Sequence, residues 1–180
     1  PLYETSFDSW DLDEPEGNAN ARIENGKLIL TSENQEHVSV LLERFSSDRL
    51  AVEFELNILE ASSQGHCVFY ILNEEREESS RLIVAGFFTN SQTNLAYSVG
   101  PDMSEDISMS RFDQTKSNTV TLIILGDQIA AFLNGQIAYA TLKPDGSVVY
   151  TNTSLAATYT IVCEYDNYKL WDLSGLEINP

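Results

Sequence analysis

Val52-Glu53-Phe54-Glu55-Leu56-Asn57-Ile58 alternates apolar and polar side chains without a break. A period of two is the mark of a strand with one face against a core and the other in water. The turn chemistry around it agrees. Glu24-Asn25-Gly26-Lys27 and Leu133-Asn134-Gly135-Gln136 each set Asn-Gly between apolar runs, which predicts type I′ hairpins, because both central residues of that turn need φ > 0. Gly126-Asp127 reads as a third two-residue turn. Residues 119–125, 128–133 and 136–142 then form an antiparallel meander.

The same reading marks further strands at residues 2–7, 27–31, 37–45, 67–72, 81–88, 94–99, 159–165 and 168–173. About a dozen strands at this spacing exceed what one twisted open sheet holds, so they split into two packed layers. With no convincing helical stripe of ten or more residues, the expected fold is all-β, a sandwich of antiparallel sheets forming one domain over residues 1–180. The acidic stretches 11–17 and 73–80 read as loops, and 101–111 as a longer connection.

Composition bounds the function. With 42% hydrophobic residues in 180, the chain can bury a core. With 28 Asp and Glu against 10 Lys and Arg, the formal charge is −18, which repels a phosphate backbone and excludes nucleic acid as a partner. Runs such as Leu122-Ile123-Ile124-Leu125 fall far short of the ~20 residues a spanning helix needs. The chain opens at Pro1 with no basic segment leading into an apolar one, so it is expected to be a mature or excised segment. Cys67 and Cys163 show no metal-ligand spacing. They could pair across the sandwich, but both sit in apolar alternating runs, and the expectation drawn from that is two buried free thiols.

Several stretches, taken in order, carry a resemblance. Phe7-Asp8-Ser9-Trp10 followed by Ile23-Glu24-Asn25-Gly26-Lys27-Leu28, then Phe132-Leu133-Asn134-Gly135-Gln136, then Tyr165-Asp166-Asn167-Tyr168-Lys169-Leu170-Trp171 together resemble the concanavalin A-like lectin/glucanase superfamily, especially its laminin G-like and 3-keto-disaccharide hydrolase-like domains. The resemblance implies a jelly roll of two curved antiparallel sheets, with the last strand beside the first. Activity does not follow from it, since this scaffold hosts lectins, glycosidases and adhesion modules alike.

Retaining glucanases of the superfamily carry Glu-x-Asp-x-x-Glu, and Glu55-Leu56-Asn57-Ile58-Leu59-Glu60 copies that spacing with Asn in the middle. Strict alternation sets Glu55 and Glu60 on opposite faces unless a bulge intervenes. The plainer reading is that Glu53, Glu55 and Asn57 solvate an outer face. The two histidines, His37 and His66, come with no Gly-x-Ser-x-Gly elbow, and His66 after Gly65 reads as a turn-flanking residue.

Sugar sites on such sandwiches pair an aromatic platform with polar side chains that bond the hydroxyls. Tyr70, Arg81, Phe88 and Tyr97 are the ligand-binding candidates, whereas Trp10 and Trp171 are expected to pack in the core. A structural calcium is the one cofactor left open, at Asp11, Asp13, Glu14 and Glu16. A solvated acidic turn is the favoured reading of those residues. The expectation is therefore a non-catalytic recognition module for a glycan, extracellular or periplasmic. A laminarinase-like glycosidase using Glu55 and Glu60 comes second, and an adhesion domain binding an extracellular protein third.

Overall fold

The computed structural model describes residues 3–5, 7, 20–34, 36–62, 65–72, 82–89, 92–99, 104–108, 113, 115–142 and 149–176. For residues 72–112 that description is of the backbone alone. Fourteen strands appear among them: β1 (Tyr3–Thr5), β2 (Asn20–Glu24), β3 (Lys27–Ser32), β4 (His37–Ser47), β5 (Arg49–Ala61), β6 (His66–Leu72), β7 (Leu82–Thr89), β8 (Gln92–Val99), β9 (Ser104–Ser108), β10 (Asn118–Leu125), β11 (Gln128–Leu133), β12 (Gln136–Leu142), β13 (Tyr150–Thr158) and β14 (Ile161–Asp172). No helix long and apolar enough to cross a membrane occurs among the described residues.

The strands form two antiparallel sheets, as the period-two patterning requires. Sheet A runs β12-β11-β10-β5-β14-β3-β2, with β1 also on β14; sheet B runs β4-β13-β6-β7-β8-β9. In β5 the inward residues Leu50, Val52, Phe54, Leu56 and Ile58 are buried and their neighbours are not. All three two-residue turns form. Asn25 (φ 53°) and Gly26 (φ 76°), and Asn134 (φ 51°) and Gly135 (φ 73°), take the left-handed pair that type I′ demands. The third turn sets Gly126 at φ 63° between Leu125 and its partner Gln128. The last strand does lie beside the first, with Tyr3 opposite Leu170.

Three strands escape the alternation rule. β13 lies between β4 and β6 in sheet B although its sequence, Tyr-Thr-Asn-Thr-Ser-Leu-Ala-Ala-Thr, is mostly polar. Its polar residues Asn152, Thr153 and Ser154 are buried, and Thr153 Oγ1 lies 2.7 Å from the Tyr168 hydroxyl of the facing sheet. β9 falls within residues 101–111, expected to be a connection, and β2 is a sheet edge; both are held by backbone pairing. What reads as two strands, 159–165 and 168–173, is the single β14, bulged where Asn167 turns to φ 51°.

The cysteine expectation is corrected. Cys67 of sheet B and Cys163 of sheet A form a disulfide with Cα atoms 5.8 Å apart. Both stand on inward faces, 0–1% exposed, and the register sets them across the interior from each other. Next to the bridge, the Tyr165 hydroxyl crosses from sheet A to donate to the Ala156 carbonyl at 2.7 Å, with the Val68 carbonyl at 3.3 Å. Complete burial pushes that phenol well above its ordinary pKa.

A second correction concerns Trp171, expected in the core. The bulge at Asn167 gives the inward positions to Tyr168 and Leu170. Trp171 is left half-buried on the outer face of sheet A, opposite Ala51.

Candidate functional site

Outward-facing residues of sheet B fall into cross-strand rows. Ser154 pairs with Tyr70 on one side and Leu41 on the other; Ala156 pairs with Val68 and Ser39; Thr158 pairs with His66 and His37. Paired residues of an antiparallel ladder share a face, so these three rows tile one surface. Its middle is floored by side chains too small to stand proud. Ala156, Val68 and Ser154 are 0%, 3% and 5% exposed, and Tyr70 packs against Val68 and Ala156 as a small cluster separate from the core.

Rings rise around this floor. His37 meets Tyr70 edge to face, centroids 5.9 Å apart, and His66 meets Tyr159 in the same way at 5.2 Å. Tyr159 is held at φ 62° in the β13–β14 turn and is 37% exposed. A flat ring standing over a floor of small groups offers an apolar surface to one face of a ligand, while the imidazoles beside it can donate or accept.

Burial holds the His66 imidazole below its ordinary pKa. The unfolded chain therefore takes up a proton first on acidification, and stability is lost as pH falls from about 6.5 towards the lower folded value. The midpoint of urea unfolding is expected to drop between pH 7.5 and pH 5.5, with the drop smaller in His66→Phe. An equal drop in both proteins removes His66 as its source.

Of the ligand candidates marked by residue type and strand position, Tyr70 is the one whose surroundings are described. Tyr97 pairs with Val84, and Val84 with the inward-facing Phe69, so the register sets the Tyr97 backbone in a row of the core face and not in that of Tyr70. Phe88 pairs with Thr93 beyond the His66–Phe87 pair. Arg81, Trp10 and the calcium candidates Asp11, Asp13, Glu14 and Glu16 lie outside the described residues. Among those that are described, no group of three or more His, Cys, Asp or Glu is arranged to hold a metal ion. His37, His66 and Tyr159 give no signal as a group in the chain, because only the ladder through the mostly polar β13 brings them together.

Glu55 and Glu60 lie on the outer face of sheet A, and on the same side of β5. β14 pairs Asp166 with Glu55, Glu164 with Asn57, Cys163 with Ile58 and then Val162 with Glu60, leaving Leu59 as an extra residue. That bulge restores Glu60 to the face of Glu55 and leaves Leu59 46% exposed. Glu55 is engaged within the protein: its two oxygens accept from Asn167 Nδ2 at 2.8 Å and Ser117 Oγ at 3.1 Å. Glu164 between them accepts from Lys27 Nζ at 2.9 Å, and this carboxylate raises the Lys27 pKa.

Solved structures share the two-sheet fold. One is a protein of unknown function with a galectin-like fold from Bacillus subtilis (13% identity, 94% of each chain covered, TM-score 0.73). The fold is the concanavalin A-like jelly roll. A β-1,3-1,4-glucanase from a mouse hindgut metagenome has it too (12% identity, 94% of this chain and 98% of that one, TM-score 0.69), as does a carbohydrate-binding module from Bacillus subtilis (11%, 85% and 91%, TM-score 0.61). No protein-family model matches the chain, and a search of curated proteins finds no match. At these identities the jelly-roll likeness speaks for the fold; function rests on the residues.

Proposed function

We propose that this jelly roll is a non-catalytic carbohydrate-recognition module that works outside the cytoplasm and binds its glycan on the outer face of sheet B. The observation that carries the reading is the Tyr70 ring, flanked by His37, over the small floor of Ala156, Val68 and Ser154. A pyranose has an apolar face that stacks on a ring and hydroxyls that bond the polar groups around it. The carbohydrate-binding module and the glucanase on the same fold are consistent with this. The Cys67–Cys163 bridge supports the location, because disulfides persist where the medium is oxidising.

The test is depletion of the protein onto a panel of insoluble polysaccharides, with released reducing ends measured in the same tubes. Binding to at least one polymer without release is expected, and Tyr70→Ala should weaken it by about tenfold or more, the scale of one lost aromatic contact. Full binding by Tyr70→Ala would move the site elsewhere.

The bulge at Leu59 favours one second reading, a retaining glycosidase acting through Glu55 and Glu60. Release of reducing ends that Glu60→Gln abolishes would replace the binding module with that enzyme. The hydrogen bonds already engaging Glu55 are the reason we place it second.

A further inference from the structure

At one end of sheet A the ends of β3 and β5 and the start of β14 enclose a cleft of about 390 Å³. This is within the range of small-ligand sites. One wall is apolar, from Ala61, Ile161 and Val162, and the rim carries Glu33, Asn34, Glu60 and Thr160. The backbone of the rim is tied down. Glu36 N–H donates to the Glu33 carbonyl at 3.0 Å, Ser32 Oγ and the Tyr159 N–H donate to the Glu36 carbonyl at 2.8 and 3.0 Å, and Ser62 N–H donates to the Thr160 carbonyl at 2.9 Å.

The side chains of the rim differ from the other acidic groups of this face. Glu53, Glu55 and Glu164 accept hydrogen bonds from Thr121, Asn167, Ser117, Asn57 and Lys27. Those of Glu33, Asn34, Glu60 and Thr160 make no hydrogen bond or ion pair among the described residues. Two exposed carboxylates, an amide and a hydroxyl thus line the rim of a cleft with an apolar wall and, among the described residues, no cation in its lining. In a chain of charge −18, the complement is a positive charge on the ligand, with hydroxyls for the amide and the alcohol.

We propose that this cleft binds a small polyhydroxylated amine, of the amino-sugar class, through Glu33 and Glu60. The cleft shares no lining residue with the cluster of Tyr70, Val68 and Ala156, so either can fail without the other.

The experiment follows backbone amide resonances of the whole chain at pH 6 during titration with glucosamine, N-acetylglucosamine, glucose and calcium chloride, each alone. Saturable shifts confined to residues 31–34, 60–62 and 160–162 are expected with glucosamine. Affinity should be about two- to fivefold weaker for the two sugars lacking the amine, and weaker by a similar factor in Glu33→Gln and in Glu60→Gln, the scale of one exposed ion pair. Unchanged dispersion of the variant spectra establishes that they fold. Equal binding of glucose and glucosamine overturns the charge argument. Shifts there with calcium alone assign the cleft to a metal ion and overturn the proposal, and no shift with any titrant overturns it as well.

Discussion

A Cys67→Ala/Cys163→Ala double variant is expected to lose about 4–5 kcal/mol of folding free energy, the chain-entropy value for a loop of roughly a hundred residues. The two cysteines are 96 residues apart and join the inward faces of opposite sheets, so the bridge restricts the unfolded chain across more than half its length. Against a total stability of about 5–15 kcal/mol for a typical domain, this is a large fraction. Urea unfolding of the wild-type protein, oxidised and reduced, and of the double variant measures it. The reduced protein and the variant should unfold together, roughly 2 M below the oxidised form for an m-value near 2 kcal/mol/M. Alkylation of two thiols in the protein as isolated, without reductant, would overturn the bridge itself.

Asn118→Ala carries the second large effect. Asn118 is fully buried where β10 begins. Its Oδ1 accepts from the Asp113 N–H at 2.9 Å and from Asn134 Nδ2 at 3.0 Å, while its Nδ2 donates to the carbonyls of Asp113 at 2.8 Å and Lys116 at 2.9 Å. One amide thus ties the turn entering β10 to the Asn-Gly hairpin after β11, and Asn134 in turn accepts the Thr119 N–H at 2.9 Å. Truncation strands several of these groups out of water, for an expected loss of about 2–4 kcal/mol. Asn118→Asp should be nearly as costly, since a carboxylate cannot donate to the two carbonyls. Asn134→Gly, which tolerates the φ of 51° and removes one of Asn118's four bonds together with the acceptor of the Thr119 N–H, should cost less. Equal midpoints for Asn118→Ala and wild type would show that the network carries no stability.

The elements legible from sequence share one property, a dry face and a wet face. Val52 to Ile58 announces itself because inward and outward residues differ in polarity at every step, and the β10–β12 meander because its short apolar runs are closed off by Gly126-Asp127 and Asn134-Gly135. The Asn-Gly pairs add turns that few other sequences can make. β13 gives no such signal. Its outward residues lie in a floor that large neighbours cover, and its inward Thr153 is bonded across the sandwich, so burial and hydrophobicity part company.

The misjudged bridge follows from the same gap. Apolar alternation around Cys67 and Cys163 correctly implies inward-facing sulfurs, but their meeting depends on which strands oppose each other, and β13 is the neighbour that positions β6. Glu55 and Glu60 are legible as a pair in the chain but not in space. A single unpaired residue, Leu59, decides whether they share a face. Tyr70 stands out by its residue type, and His66, four residues before it in β6, shares its face by alternation, whereas His37 comes from β4, which nothing local connects to it.

β14 is the final strand in chain order, yet in sheet A it lies between β3 and β5. During synthesis the first half of that sheet waits for its middle. Two strands that do not pair with each other in the finished sheet must be kept from closing up or from recruiting another chain while more than ninety residues emerge. Folding of this kind is slow, because its decisive contacts are among the most distant in the chain. Oxidation of Cys67 is correspondingly a terminal event: its partner arrives with the strand that completes the sheet, so a cell that met this chain half made would find an unlocked sandwich and a free thiol.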